Sequence, residues 1–287
     1  MTRVGSAPGA AAGDPEPGVA SPGSLIITFA GPHLRDIGGW IAVADLLALL
    51  ERAGQSASSI RQALVRLKSR ELLASERRDG RAGYRLTDAG RADLEIGDAR
   101  IFRYGEAPEA AGWVLAIFSV PESARAERHR LRTRLAWLGF GAVAAGVWIA
   151  PGTLADRARA QLDGEGLAEY VSWFSAAPLQ TADVARWWDL DALRALYSAF
   201  LAQWSAAPEP DDDGSMFAAH LQLVDSWRRF PRIDPGLPAS LLPTTWEGRA
   251  AFEVFASRNE RWARAAARYV AARVGLPATD GRTDHRR

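Results

Sequence analysis

The chain contains no cysteine among its 287 residues. This absence excludes disulfides, thiolate nucleophiles and every zinc site that needs sulfur ligands. Histidine is also scarce, and its four positions are too far apart in sequence to form a local metal motif (His33, His129, His220 and His285). We therefore expect neither a metal site nor a cofactor.

Lysine and asparagine are almost absent, because Lys68 and Asn259 are the single residues of their types and every other basic residue is arginine. This bias is typical of a GC-rich genome, so an individual arginine is weaker evidence of function than usual. The net charge of +1 argues against a chain that is basic along its whole length. A local basic patch remains compatible with that balance.

Large apolar side chains are nearly absent from residues 1–23, which are rich in Gly, Pro and Ala. We expect a disordered tail there and no signal peptide, since no apolar stretch of the required length is present. The run from Leu135 to Ala155 is uncharged over 21 residues, which is long enough to span a membrane. Glycines and Pro151 interrupt it, however, so we expect a cytoplasmic protein with no membrane partner.

The segment 24–110 has the pattern of a winged helix-turn-helix domain. A short apolar helix begins at Leu25 and is expected to stop near Gly31-Pro32, and a second helix, Val43–Ala53, is closed by Gly54. The third predicted helix, Ser58–Arg70, has apolar residues at helical spacing. Either Ser56 or Ser58 can cap this helix through its side-chain oxygen.

A hairpin with a basic tip is predicted directly after these helices. Leu73–Arg78 and Arg81–Leu86 flank an Asp79-Gly80 turn, which is a strong hairpin signal, and Thr87 is positioned to cap the next helix. From Arg61 to Arg91 there are nine basic and four acidic residues, so positive charge concentrates where this fold would contact DNA. The residues expected to contact DNA are Ser58, Ser59, Arg61, Gln62, Arg66, Lys68, Arg77, Arg78, Arg81 and Arg85. Solvated surface, or a surface that binds another protein, is the alternative interpretation.

The segment 111–180 predicts a ferredoxin-like domain. A buried strand, Trp113–Val120, precedes a helix that begins near Pro121. A hairpin follows with strands at 140–144 and 147–150, then a helix at 153–162 and a strand at 169–175. The order βαββαβ is that of the ferredoxin-like fold, and it explains the uncharged run without a membrane.

The segment 181–275 is predicted to be all-α and to precede a loose tail at 276–287. Helices are expected at Asp191–Trp204 with Asp189 as its cap, at Met216–Phe230, and after Trp246 as far as about Val274. Seven of the 11 tryptophans follow residue 170, which allows an aromatic-lined pocket, although packing between helices is the simpler explanation. The fold class is therefore α+β with several domains.

Several segments together resemble the PaaX family of bacterial repressors, which control phenylacetate catabolism genes. The resemblance lies in Ser24–Gly97 with the following DARIF, in Leu135–Pro151, in WDLDAL at 188–193 and in IDPGLPASLLPTTWEG at 233–248. It implies a repressor that binds double-stranded operator DNA as a homodimer. It also implies a small effector that releases the DNA, a CoA thioester such as phenylacetyl-CoA. By their location, the candidates to bind it are His220, Arg228, Arg229 and Arg232.

Two other functions remain open. One is a metal-dependent nuclease or hydrolase built on the ferredoxin-like domain. The nucleases of CRISPR adaptation share this fold, but they hold their cation with an Asp at the end of the first strand. Ala111–Val120 contains no acidic residue, so we expect no catalytic residue and no enzyme activity. The other alternative is a regulator of an unrelated pathway with a different ligand.

Overall fold

The computed structural model describes residues 20–102, 112–177 and 184–277. Residues 1–19 of the predicted amino-terminal tail and residues 278–287 of the predicted carboxy-terminal tail lie outside these ranges. The chain divides into two compact units. The first unit comprises residues 1–91, 210–226 and 263–287, and the second comprises residues 92–209 and 227–262. The predicted domain boundaries at 110 and 180 fall outside the described residues and stay predictions.

The first unit combines helices with a three-stranded antiparallel sheet. Its amino-terminal elements are α1 (Pro22–Phe29), β1 (Trp40–Ala42), α2 (Val43–Arg52), α3 (Ala57–Ser69), β2 (Leu73–Arg78), β3 (Arg81–Leu86) and the start of α4 (Asp88–Ile101). The strand order is β1-β3-β2. Gly54 has φ +88° just after α2, in agreement with its predicted place at the end of that helix. The side-chain hydroxyl oxygen of Thr87 accepts the N–H of Gly90, so Thr87 caps α4 as predicted.

The hairpin between β2 and β3 forms as the sequence predicts. Asp79 and Gly80 have φ values of 48° and 78°, the left-handed conformation that a two-residue turn of this type requires. Gly83 in β3 lies where any side chain would collide, because an added Cβ would be 2.5 Å from the carbonyl oxygen of Ile41. Glycine at this position therefore lets β1 and β3 pair closely.

The expected end of the first helix near Gly31-Pro32 is wrong. The helical backbone continues beyond α1 as a π-helical turn, Ala30–Leu34, that includes both residues. Pro32 has no N–H to donate to the carbonyl four residues back, and a wider turn carries the chain past that missing hydrogen bond.

The second unit contains a four-stranded sheet with two helices against it. The elements are β4 (Trp113–Phe118), α5 (Arg125–Trp137), β5 (Gly141–Ala144), β6 (Val147–Pro151), α6 (Ala155–Gly164) and β7 (Val171–Ala176). The strand order β5-β6-β4-β7, with antiparallel pairs throughout, is that of the ferredoxin-like fold, so this prediction is confirmed. Val114, Ala116 and Phe118 of β4 pack with Leu131 and Leu135 of α5 in the core.

The carboxy-terminal region is helical, as predicted. Its helices are α7 (Leu190–Trp204), α8 (Asp213–Trp227), α9 (Phe230–Ile233) and α10 (Gly248–Val274). The helix expected at Met216–Phe230 differs at both ends. Asp212 accepts the N–H of Ser215 at 2.9 Å, so the helix begins earlier. It ends at Trp227, and Pro231 lies in the first turn of α9, where a missing N–H costs nothing.

The uncharged run divides among the end of α5, the β5-β6 hairpin and the start of α6. Within the described ranges, no helix combines the length and the apolar character needed to cross a membrane.

Candidate nucleic-acid interface

Helix α3 begins with a side-chain cap. Ser56, and not Ser58, is the N-cap residue, since its hydroxyl accepts the N–H of Ser59 at 3.3 Å. The hydroxyl of Ser59 in turn donates to the carbonyl oxygen of Ser56 at 2.9 Å. Ser59 is half-buried and takes part in the cap, whereas Ser58 is exposed.

The two faces of α3 differ sharply in polarity. Ile60, Ala63, Leu64 and Leu67 form a buried stripe with exposures of 0 to 4%. The opposite face is exposed and carries Ser58, Arg61, Gln62, Val65, Arg66 and Lys68. Three of these side chains are cationic, and α3 contains no acidic residue that could compensate their charge.

The tip of the β2-β3 hairpin presents two further arginines. Arg77 and Arg78 are exposed, and the guanidinium of Arg77 donates to the carbonyl oxygen of Gly80 at 2.6 Å across the turn. Arg78 pairs with Glu76 and lies 5.4 Å from the ring centre of Trp40. Both arginines make these contacts near the turn and remain exposed to solvent.

Arg85 and Arg81 make ion pairs inside the first unit. Arg85 lies 3.3 Å from the carboxylate of Glu76. Arg81 donates to Oδ2 of Asp45 at 2.6 Å, and Arg273 lies 3.3 Å from Oδ1 of the same carboxylate. Asp45 is only 5% exposed, so these two cations compensate a carboxylate that is removed from water.

Asp45 and Arg273 were not predicted from the sequence as the groups that meet Arg81 at this ion pair. Asp45 lies in the first turn of an otherwise apolar segment of α2, which is a weak signal for a buried carboxylate. Arg273 lies near the end of α10, and no sequence spacing relates it to the hairpin.

The four candidates for effector binding do not all belong to one unit. His220 belongs to the first unit, whereas Arg228 and Arg229 belong to the second and are half-buried. Arg232 lies in α9, and its side chain falls outside what the structure describes.

His220 is a buried histidine beside another one. Its ring centre is 5.5 Å from that of His33, which lies in the π-helical turn after α1. Burial lowers the pKa of His33 well below its usual value of 6.5, and the neighbouring His220 lowers that pKa further. Nε2 of His33 has no hydrogen-bond partner among the described residues. Both observations favour a neutral His33 at pH 7.

The aromatic residues of the second unit pack mainly against one another. The rings of Tyr197 and Phe230 are stacked with 4.3 Å between their centres, and those of Trp227 and Phe255 are stacked at 4.9 Å. The hydroxyl of Tyr197 donates to Asp234 at 2.6 Å. This arrangement supports the interpretation that these side chains form a core.

Acidic residues are absent from β4, Trp113–Phe118. Among the residues that the structure describes, no group of three or more His, Asp or Glu side chains is arranged to hold a metal ion.

Comparison with known proteins gives consistent matches along the chain. Three family models match: "PaaX-like protein" at residues 21–90, "PaaX protein central Cas2-like domain" at 106–187 and "PaaX-like protein C-terminal domain" at 188–272. The Transcriptional repressor PaaX of Escherichia coli (strain K12) is 30% identical over 263 residues, which are 86% of this chain and 82% of the relative. The solved structure of the uncharacterized protein Rv0674 from Mycobacterium tuberculosis matches with a TM-score of 0.57 and 26% identity, over 89% of this chain and 99% of that one.

Proposed function

Because the chain belongs to the PaaX family of transcriptional repressors, we propose that its amino-terminal part is a winged helix-turn-helix that binds operator DNA. In this proposal α3 enters the major groove and the β2-β3 hairpin lies along the phosphate backbone. The protein acts as a regulator and not as an enzyme.

The observation that carries the proposal is the exposed face of α3, which bears cations and amide or hydroxyl groups but no carboxylate. Gln62 can pair with the N6 and N7 atoms of adenine, and Arg66 with the O6 and N7 atoms of guanine. The exposed Arg77 and Arg78 of the hairpin can contact phosphate oxygens, which adds affinity for any sequence.

We also propose that two copies pair through the ferredoxin-like domain. Leu115 faces Phe174 across the β4-β7 pair, and Ile117 shares their side of the sheet because side chains alternate along a strand. Ile117 and Phe174 are 38% and 51% exposed, whereas Val114 and Ala116 point to the opposite, buried side. A second copy that covers this apolar side would give a dimer with two reading helices, one for each half-site of an operator.

The proposed effector is an acyl-CoA such as phenylacetyl-CoA, and the proposed target is an operon for the catabolism of an aromatic acid. Family membership supports this proposal, and so do Arg228 and Arg229, which could bind the CoA phosphates. The effector must bind the DNA-incompetent arrangement more tightly, because otherwise it shifts no population. A regulator of the same family with another ligand is the alternative.

Binding of DNA duplexes by single variants tests the reading helix. Gln62→Ala and Arg66→Ala are each expected to weaken binding to duplexes selected from fragments of genomic DNA by about 1–3 kcal/mol. Arg132→Ala in α5 is the matched control, since Arg132 is exposed but lies outside the first unit. Unchanged affinity of both α3 variants would show that another element reads the bases.

A further inference from the structure

Val65 occupies an unusual place on α3. It is 67% exposed, more than any other large apolar side chain in the part of the chain that the structure describes. Arg61 and Gln62 lie one turn before it on the same face, and Arg66 follows it directly. Val65 is therefore an apolar group in the middle of a polar, cationic surface.

The fold itself does not require a valine at this position. The apolar residues that hold α3 in the core are all on the buried stripe, to which Val65 does not belong. A β-branched side chain also loses rotamer freedom in a helix, so alanine, arginine or lysine would favour the helix more. Single exposed valines are common on protein surfaces, and what distinguishes this one is its position between candidate base-reading residues.

We propose that Val65 contacts the C5 methyl group of a thymine in the major groove and thereby selects thymine at one position of each half-site. This inference rests on the proposed function, in which α3 lies in that groove. The C5 methyl of thymine is the apolar group that base edges present there. Valine offers two methyl groups on a stiff side chain, which gives a contact surface of fixed position.

The charge around Val65 favours DNA over an apolar protein partner. Arg61, Arg66 and Lys68 would all lose hydration at an apolar protein surface, at a cost that ion pairs would have to offset. Against DNA the same cations lie near phosphates and base acceptors, while the valine meets the methyl group.

Replacement of thymine by uracil is the direct test, because it removes only the methyl group. Duplexes that the wild-type protein selects from a random-sequence pool would be resynthesised with uracil at each thymine in turn, and their dissociation constants measured by fluorescence anisotropy. The wild-type protein is expected to bind about fourfold more weakly when one particular thymine is replaced in one of the two half-sites, because one buried methyl group is then lost. Val65→Ala loses the contact in both half-sites of the proposed dimer, so it is expected to bind the thymine duplex about 16-fold more weakly. It should bind thymine and uracil equally at that position.

The controls separate this contact from folding and from DNA binding in general. Val65→Ala should melt at or above the temperature of the wild-type protein, since alanine is the better helix former. Val143→Ala is the matched control, because Val143 is also an exposed valine but lies in β5, and it should keep the full preference for thymine.

Two results would overturn the inference and leave DNA binding intact. One is a wild-type protein that binds selected duplexes but tolerates uracil at every position. The other is a Val65→Ala variant that keeps the full uracil penalty, which would assign the methyl contact to another side chain. A wild-type protein that selects no duplexes at all would instead refute the proposed function, and this inference with it.

Discussion

Arg81 is a proposed DNA contact that also makes an ion pair within the folded protein. It was expected to contact phosphate, and its guanidinium donates to the buried carboxylate of Asp45 at 2.6 Å. About half of the Arg81 side chain remains exposed, so a phosphate could still use its other donors. Its replacement therefore changes stability as well as charge, and a loss of DNA binding in such a variant would have two causes.

We expect Arg81→Ala to lower the free energy of unfolding by about 1–2 kcal/mol, because Asp45 would lose the nearer of its two cations while Arg273 remains. Urea denaturation measures the change. Arg77→Ala, in the same hairpin, is expected to stay within about 0.5 kcal/mol of the wild-type protein, since it loses no buried partner. Equal unfolding midpoints for the two variants would show that Asp45 does not depend on Arg81.

The lowered pKa of His33 predicts how the free energy of unfolding depends on pH. Because burial and His220 depress the pKa of His33 in the folded state, the unfolded state takes up a proton first as the pH falls. The contribution of His33 to stability is thus fully present above about pH 6.5, the unfolded pKa, and is lost as the pH falls below it.

Denaturation series between pH 5 and pH 8 measure this dependence. His33→Gln should flatten the decrease below pH 6.5, whatever its effect on stability at pH 8. His129→Gln replaces an exposed histidine of α5 and should leave the decrease unchanged. A decrease of equal slope in the wild-type protein and in His33→Gln would assign the acid sensitivity to other groups.

The β2-β3 hairpin and α3 are expected to contribute to DNA binding in different ways. The hairpin tip presents the exposed Arg77 and Arg78 beside the turn, whereas the exposed face of α3 also presents a side-chain amide and a hydroxyl group. Phosphate contacts release counterions, and base contacts discriminate between sequences. Salt dependence and sequence dependence therefore separate the two elements experimentally.

Arg77→Ala and Arg78→Ala should each reduce the slope of log K against log salt concentration by about one, and should weaken binding to all sequences alike. Gln62→Ala is the contrasting variant, because it removes a neutral side chain and should change sequence preference at constant slope. Titrations at several salt concentrations, with selected and with random duplexes, measure both quantities. A hairpin variant with an unchanged slope and a sequence-selective loss would mean that the hairpin reads bases.

In the whole molecule, parts of the carboxy-terminal helices belong to the same compact unit as the helices proposed to bind DNA. Most of α8 and the end of α10 belong to the first unit with α1, α2 and α3. Asp225 of α8 is buried and accepts hydrogen bonds from Ser24 and Thr28 of α1, the latter at 2.7 Å. A ligand that changes α8 would therefore act on a helix that is part of the same unit as α3.

Thermal melting with phenylacetyl-CoA and with free phenylacetate tests the effector. A ligand present at about 100 times its dissociation constant should stabilise the folded state by about 2.7 kcal/mol, which is readily seen as a shift in melting temperature. By linkage, operator DNA should weaken the binding of this ligand by the same factor by which the ligand weakens operator binding.

The double variant Arg228→Ala/Arg229→Ala should bind operator DNA but show little shift with the thioester, whereas Arg132→Ala should respond like the wild-type protein. If neither compound shifts the melting temperature of the wild-type protein, the phenylacetate assignment is wrong and a different ligand is favoured. It would leave the proposal for DNA binding unaffected.

Local patterns in the sequence were sufficient to predict most elements. The bounds of β2 and β3, the turn at Asp79-Gly80 and the order of the ferredoxin-like elements are confirmed. The buried stripe of α3 is also as predicted. These features depend on side-chain periodicity and turn chemistry, which involve residues only a few positions apart.

Tertiary structure alone decided which distant residues meet. Asp45 binds Arg81 and Arg273, and His33 lies beside His220, although no spacing in the sequence relates these positions. It also decided that α8 and α10 contribute to two compact units. The physical reason is that a periodic pattern specifies which face of a helix is buried but not which element covers it, and that choice depends on the packing of the whole chain.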